Sequence, residues 1–319
     1  MKQLISLLSV LLLMVACGQS YEETKRISRQ QRLEAMRKDS AALKIAVLPT
    51  LDCLPLYVAQ HYQLFDTIKG GVRLKFFNAQ MDCDTAIERG RVEGVVTDLV
   101  RAKRMESKGL KLRYVAATNA YWQLVSNRNA RIRQLKQLDD KMVAMTRYSV
   151  TDLLTDLVRD SVKLAPERVF KVQINDLNVR IQMLQNNEMD ALWMPEPQAT
   201  QARQMKHPII FDSRDAKLQL GVVAFREKEM GREERANQLS MFLKAYNQAC
   251  DSINKYGVRY FRKLIVERCH VRRQVADELP KNLHFDHASA PRQQDVTAAE
   301  QWLQKSTKQD DAKRNISNR

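Results

Sequence analysis

The stretch that decides the fold is Leu43–Asp66, LKIAVLPTLDCLPLYVAQHYQLFD. Its first seven residues, LKIAVLP, read as a buried strand, apolar but for Lys44 and closed by a proline. Thr50-Leu-Asp-Cys forms a loop. From Leu54 the period changes, with Leu54, Tyr57, Val58, His61 and Leu64 on neighbouring positions of a helix running to Asp66. Working outward, the pair Gly70-Gly71 breaks the chain before VRLKFFN (Val72–Asn78), an alternating strand. A helix beginning near Asp82-Cys-Asp-Thr follows, with Asp82 or Asp84 suited to cap it. Gly90 and Gly94 bracket the turn into VEGVVTDL (Val92–Leu99), a third short strand. Strand, helix, strand, helix, strand at this spacing means βαβ units on a parallel sheet, an α/β protein.

The rhythm then changes and returns. Two extended segments, LKLRYVAAT (Leu110–Thr118) and YWQLVSN (Tyr121–Asn127), follow in quick succession. KMVAMTR (Lys141–Arg147) resumes the βα pattern with a helix over Asp152–Leu164. VFKVQIN (Val169–Asn175), a helix over Leu177–Asn186 and a strand over Asp190–Pro195 complete a second block. PIIFDS (Pro208–Ser213) and LQLGVVAFR (Leu218–Arg226) are extended, and three helices are expected at Glu233–Tyr256, Val258–Cys269 and Val296–Gln304. The second block is thus embedded in the first, with crossings near 114–124 and 213–223. The expected division is a first lobe of 43–118 and 223–304, a second lobe of 119–222, and a disordered tail of 305–319.

The ends carry their own signals. Lys2 precedes the apolar run LISLLSVLLLMVA (Leu4–Ala16), too short to span a bilayer, and Cys17 follows a small residue. Residues 1–16 read as a lipoprotein signal peptide, Cys17 as the lipidated (diacylglycerol- and palmitate-bearing) first residue, and 17–42 as a polar, partly helical tether. The body is then soluble and lipid-anchored to a bacterial membrane, facing the periplasm or the outside. The net charge of +16, from 53 Lys and Arg against 37 Asp and Glu, raises nucleic acid as a partner. The basic residues are scattered and not interleaved with aromatics, so no nucleic acid is expected; anionic envelope surfaces are the better match. Apolar content of 44% and charged content of 28% are those of a globular chain. Cys53, Cys83, Cys250 and Cys269 permit three disulfide pairings in an oxidising compartment, Cys53–Cys83 and Cys250–Cys269 among them. No spacing of Cys and His suits a metal, and no metal or cofactor is expected.

The runs KIAVLPTLDCLPLYVAQHYQLF, TAIERGRVEGVVTDL and NNEMDALWMPEPQ together resemble the type II periplasmic substrate-binding proteins of ABC importers, in the branch that binds nitrate, sulfonates or taurine, and thiamine precursors. The matching motifs are Leu54-Pro55-Leu56, Gly90-Arg-Val-Glu93-Gly94, and Met189-Asp190-Ala191 through Glu196-Pro197. The resemblance implies a monomer of two lobes, each a mostly parallel sheet flanked by helices, joined by two crossing segments and closing on a small solute. It implies an ABC permease and ATPase as partners. The fold also hosts biosynthetic enzymes, but no Ser/His/Asp spacing, GxSxG, metal cluster or phosphate-binding glycine loop is present, so no enzyme is expected.

In open α/β sheets ligands sit beyond the carboxyl ends of the strands. Those ends give the candidate ligand contacts: Thr50, Asp52, Asn78, Thr97 and Asp98 in the first lobe, and Arg147, Tyr148, Ser149, Asn175, Met194 and Glu196 in the second. Trp122, near a crossing, could stack on a flat ligand or join the core. Ser149 or Thr151 could equally cap the following helix. Glu196, held between two prolines, is expected to aim into the cleft. Three carboxylates against one arginine favour a nitrogen-rich solute, a thiamine-precursor-like heterocycle. A sulfonate or nitrate is the alternative, as is an envelope binding lipoprotein unrelated to transport.

Overall fold

The computed structural model describes residues 21–65 and 71–317. The signal segment and Cys17 lie outside the described residues. The chain divides into two compact units, residues 1–42 and 43–319. In the first, α1 (Tyr21–Ala41) is a helix of 21 residues on which Leu33 and Met36 stand more than half exposed. No described helix is long and apolar enough to cross a membrane.

The second unit begins with β1 (Leu43–Val47), buried on both faces as its apolar run predicts. A single 3-10 turn over Leu51–Cys53 leads into α2 (Leu54–His61), with Pro55 in its first turn where no intrahelical N–H bond is lost. There follow β2 (Val72–Phe76), α3 (Gln80–Glu88), β3 (Gly94–Asp98), α4 (Leu99–Ser107) and β4 (Leu112–Ala117). The embedded block runs β5 (Trp122–Ser126), β6 (Lys141–Met145), α5 (Val150–Ser161), β7 (Val169–Gln173), α6 (Leu177–Gln185), β8 (Ala191–Pro195), α7 (Gln198–Gln204) and β9 (Ile209–Asp212). The chain returns through β10 (Gly221–Arg226), then α8 (Glu227–Met230), α9 (Glu233–Tyr256), α10 (Arg262–Cys269), α11 (Arg273–Asp277) and α12 (Gln293–Ser317). Asp82 and Asp84 lie inside α3, whose first residue is Gln80, and cap nothing.

The strands form two five-stranded sheets with one plan. The first is ordered β2-β1-β3-β10-β4 and the second β7-β6-β8-β5-β9. In each, three parallel strands are followed by one antiparallel strand that has crossed from the other lobe, β10 beside β3 and β5 beside β8. Fully buried β3 and β8 sit inside their sheets, whereas β2 at an edge alternates buried and exposed residues. The two crossings touch at Gly221. A Cβ there would stand 2.6 Å from that of Ala120, so only glycine lets the backbones approach.

Four apolar clusters fill the unit. One, containing Leu99, Leu124, Leu154, Trp193, Val222 and Leu303, draws on both lobes and on α12, making a continuous core along one side of the molecule. Two expectations are corrected here. All four cysteines are free. Cys53 packs with Cys250 and Cys269 in one cluster, whereas Cys83 packs with Ala46 and Val95 in another, so a Cys53–Cys83 bridge has a sheet in its way. The tail is also not disordered through 305–317: it continues α12, and Asp310 accepts a hydrogen bond from Arg147 at 2.6 Å.

Candidate functional site

The carboxyl ends of both sheets meet at a cleft of about 630 Å³, open mouth included. Eight of the twelve sequence-derived candidates line it: Thr50, Asp52, Asn78, Thr97, Asp98, Trp122, Ser149 and Asn175. Thr50, Asp52, Asn78, Ser149 and Asn175 follow a strand or lead into the helix after it and Thr97 and Asp98 end β3, which is the reason a sequence could point to them; Trp122 begins β5 beside a crossing. Arg147, Tyr148, Met194 and Glu196 do not line it. The cleft also recruits Thr151, weighed in the sequence with Ser149 as cap or contact, and Gln80, Thr146 and Arg180, which the sequence reading missed.

On the first lobe's wall, Gln80 Nε2 donates to Thr97 Oγ1 at 3.0 Å and to Asp84 Oδ1 at 3.3 Å. Asp84 is in turn held by the buried Arg101. Thr118 donates to Asp52 Oδ2 at 3.4 Å, and burial pushes the Asp52 carboxyl above its ordinary pKa. Asp98 does more than cap α4. Its Oδ1 accepts the backbone N–H of Arg101 at 3.0 Å and that of Val150, the first residue of α5 in the other lobe, at 3.1 Å. One carboxylate oxygen therefore bridges two helix N-termini across the cleft, where the partial positive charge of both favours an anion. Burial nevertheless pushes Asp98 up to about 7, against the pull of Arg101.

The second lobe's wall is built around α5 and α6. Ser149 is the N-cap of α5, accepting from Thr151 N at 3.1 Å and donating to Thr146 O at 2.6 Å. Capping and cleft lining thus coincide in one residue. Arg180 sits on the buried face of α6 with Leu177, Ile181 and Leu184, only 2% exposed. Its guanidinium donates to Ile174 O at 2.8 Å, Trp193 O at 2.7 Å and Thr146 Oγ1 at 2.8 Å, tying together the ends of three strands. No carboxylate among the described residues forms an ion pair with it. Desolvation lowers its pKa to about 10, so it stays charged near neutrality. Helical periodicity could have exposed this residue, because an arginine three after Leu177 and four before Leu184 belongs on the apolar face.

Glu196, expected to aim at a ligand, is turned away from the cleft. It is 3% exposed, its Oε1 accepting from Arg203 at 2.6 Å and Tyr121 at 3.3 Å, its Oε2 from Thr200 N at 3.0 Å and Thr200 Oγ1 at 2.7 Å. The backbone explains the error: Glu196 starts the turn into α7, so its carboxylate folds back onto the first turn of that helix. Met194 is core, fully buried beside Leu192 and Ala199. Arg147 and Tyr148 point to α12, where both donate to Asp310. Tyr148 takes a left-handed φ of 53°, and that kink sends its ring outward before Ser149 returns to the cleft.

Further contacts join the lobes beside the cleft. Leu51 N donates to Glu196 O at 2.8 Å and Gln198 Nε2 to Pro49 O at 2.8 Å near the crossings. At the opposite end, Ala79 and Asp176 form an isolated antiparallel bridge. Among the described residues, no group of three or more His, Cys, Asp or Glu is placed to hold a metal ion.

No protein-family model matches the sequence, and no curated protein sequence does. Solved structures do match. The ligand-binding component of an ABC-type import system from Staphylococcus aureus, solved with zinc bound, is 16% identical, with a TM-score of 0.69 over 83% of this chain and 91% of that one. The alkanesulfonate-binding protein of Xanthomonas axonopodis pv. citri, bound to MOPS, is 16% identical, with a TM-score of 0.68 over 82% and 90%. The periplasmic nitrate-binding protein of Synechocystis PCC 6803 is 11% identical, with a TM-score of 0.66 over 82% and 80%. The chain has the two-lobed periplasmic-binding-protein fold.

Proposed function

We propose that the chain is the solute-binding component of an ABC importer, closing its lobes on a small zwitterion of the aminosulfonate kind. The observation that carries this is the pairing of Asp52 in one lobe with Arg180 in the other, both on the wall of one cleft. The structural neighbours are named as import-system components and as sulfonate and nitrate binders, which supports the importer reading and an oxyanion. A heterocycle rested on Asp52, Asp98 and Glu196 together. Glu196 is engaged with Arg203 and Thr200, and Asp98 already accepts two N–H groups, so the excess of carboxylate that favoured a nitrogen-rich ring has gone. What stands is one carboxylate and one guanidinium. Arg180 retains N–H groups on both terminal nitrogens beyond its three bonds, suited to a planar or tetrahedral oxyanion. Asp52 suits an ammonium. Partnership with a permease and ATPase, the periplasmic or outward-facing location, and the lipid anchor at Cys17 belong to the same proposal.

The test is calorimetric titration of the protein with taurine, ethanesulfonate, nitrate and an aminopyrimidine. Taurine is expected to bind most tightly, with ethanesulfonate weaker because it leaves Asp52 without a partner. Truncating one member of a buried charge pair costs about 2–5 kcal/mol, so Arg180→Gln should weaken taurine binding by at least roughly thirtyfold. Asp52→Asn should erase the preference for taurine over ethanesulfonate. Binding of the aminopyrimidine in preference to taurine, ethanesulfonate and nitrate would overturn the reading.

A further inference from the structure

The cleft leaves the chain's largest chemical peculiarity unexplained, because a small-solute site has no use for a net charge of +16. That charge is not spread evenly. Residues 254–273, NKYGVRYFRKLIVERCHVRR, carry Lys255, Arg259, Arg262, Lys263, Arg268, Arg272 and Arg273 against the single acid Glu267. This segment supplies six of the sixteen excess charges in 20 residues. It spans the end of α9, a 3-10 turn over Val258–Phe261 and the whole of α10. Lys255, Arg259 and Lys263 are exposed and form no ion pair among the described residues. Arg262 and Arg273 reach only the partly exposed Asp277, at 3.9 and 3.6 Å. Exposed pairs of that length neutralise little.

Arg268 lies farther along α10, over Phe76 at the end of β2, but the part of the segment around Lys255, Arg259 and Lys263 also holds an aromatic cluster. Tyr62, Tyr256 and Tyr260 are 50%, 53% and 61% exposed, in a molecule whose other tyrosines are mostly covered. Tyr256 stacks on Tyr260 with ring centroids 5.0 Å apart, Tyr260 meets Phe261 edge-on at 5.1 Å, and Tyr62 meets Phe261 at 6.3 Å. Lys255 lies 5.1 Å from the Tyr256 ring centre. Two half-exposed tyrosines packed on the buried Phe261 and a third stacked on Tyr260, rimmed by cations, form a continuous patch. The patch also has a definite place in the fold. α2 starts beside the cleft, directly after Asp52 and Cys53, and runs back along the sheet for eight residues, about 12 Å. Tyr62 is its C-cap, so the patch stands at the far pole of the first lobe from the cleft.

We infer that this pole is a docking surface for an anionic lipid bilayer, with the tyrosines seated at headgroup level and the ring of lysine and arginine on the lipid phosphates. The chemistry selects that partner. Clustered cations gain from an anionic surface within a Debye length, a gain that salt erodes. Tyrosine, with an apolar body and a polar tip, settles at the boundary between headgroups and hydrocarbon. A nucleic acid would be met by cations and stacking rings along an extended groove, whereas this cluster is a compact knob on a helix end. Because the pole lies away from the cleft, docking there leaves solute binding free, and the two activities should fail independently.

The experiment is co-sedimentation of the body, residues 43–319, with vesicles of phosphatidylcholine alone or containing about a third phosphatidylglycerol. The four apolar clusters are drawn entirely from residues of this unit, so it holds its own core. The body is expected to sediment with the anionic vesicles and not with the neutral ones, and to be released by raised salt. The triple variant Lys255→Gln, Arg259→Gln, Lys263→Gln should lose roughly a hundredfold in binding to anionic vesicles, at about tenfold or less per charge. Tyr62→Ser with Tyr260→Ser should weaken it with no change in salt dependence. All five residues are exposed, so an unchanged melting temperature and an unchanged solute affinity certify the fold of each variant. Equal sedimentation with neutral and anionic vesicles, or wild-type binding by the triple variant, would overturn the inference. So would indifference to vesicles together with tight, Lys255-dependent binding of a soluble polyanion such as heparin or a DNA duplex.

Discussion

Asp98→Asn should make the protein more stable at alkaline pH and leave it nearly unchanged below pH 3.8. Asp98 is 4% exposed and accepts two backbone N–H bonds through Oδ1, from Arg101 and Val150. Burial lifts its pKa from 3.8 to about 7 in the folded chain. Between those values the native state holds a proton that the unfolded state has released. The stability tied to this group is therefore complete below pH 3.8 and is lost as pH rises through about 7. At about 1.4 kcal/mol per unit, the ionised carboxylate costs the folded chain about 4 kcal/mol. Asparagine keeps an acceptor oxygen in the same place without the charge. The two N–H bonds to the ionised form already hold the value down to about 7, so removing the charge recovers up to about 4 kcal/mol above pH 8. Urea unfolding followed by tryptophan fluorescence reads the difference directly: a large gain at pH 8.5, and a smaller one of about 1–2 kcal/mol at pH 5, where only the unfolded carboxyl has ionised. Groups that titrate alike in both proteins cancel. If Asp98→Asn is less stable than the parent at pH 8.5, the carboxylate is a favourable ion there and the reasoning fails.

Two other substitutions probe the architecture. Glu196→Gln breaks a buried carboxylate away from Arg203 and should cost about 3 kcal/mol in urea unfolding, while leaving affinity for any cleft ligand within a few-fold; a selective loss of affinity at unchanged stability would put Glu196 back in the site. Gly221→Val drives a side chain into Thr118 and Ala120 where the crossings meet, and should lower the melting temperature by an amount matching about 3 kcal/mol or more.

The fold was readable because buried strands and alternating strands advertise themselves differently. LKIAV, with Lys44 its one charged residue, and GVVTD, apolar until Thr97, lie inside the first sheet, whereas VRLKF alternates and forms its edge. The site was readable only as far as strand ends fix side-chain position. Thr50, Asp52, Asn78 and Asn175 follow strands and Thr97 and Asp98 end one, and the parallel sheet alone carries them to the cleft. Beyond the strand end, backbone handedness decides, and the sequence does not announce it. Tyr148 turns outward on a left-handed φ and Glu196 curls back onto α7, although both sit where a cleft residue belongs. Arg180 was hidden for the opposite reason: it comes from a helix interior four residues past the strand-to-helix turn and reaches the cleft on a long side chain. The cysteines show the limit of proximity in sequence pattern, since Cys53 and Cys83 begin neighbouring helices that pack on opposite faces of one sheet.

How the lobes part follows from where they are joined. Along one side, α4, α5, α12 and strands of both sheets share a single apolar core, and the crossings meet at Gly221. Separating the lobes there would expose buried Leu99, Leu154, Trp193 and Leu303. At the other end, beyond β2 and β7, the cleft is held by the Ala79–Asp176 bridge and by an exposed hydrogen bond from Gln173 Nε2 to Met81 Sδ at 3.4 Å. Opening must therefore hinge about the crossings, break that bridge and release the Asp98–Val150 bond, with little loss of apolar contact. Antiparallel bridge partners have Cα atoms about 4.5–5.5 Å apart, inside the range a disulfide spans. Ala79→Cys with Asp176→Cys should consequently form a bridge under mild oxidation that locks the mouth. Losing the Asp176 cap on α6 costs about 1 kcal/mol, which the crosslink offsets. In stopped-flow titration with the solute identified by calorimetry, association and dissociation should both slow by orders of magnitude in the oxidised variant and recover on reduction. Exchange at the parent rate in the crosslinked protein would mean that solute enters without the mouth opening, and that the hinge lies elsewhere.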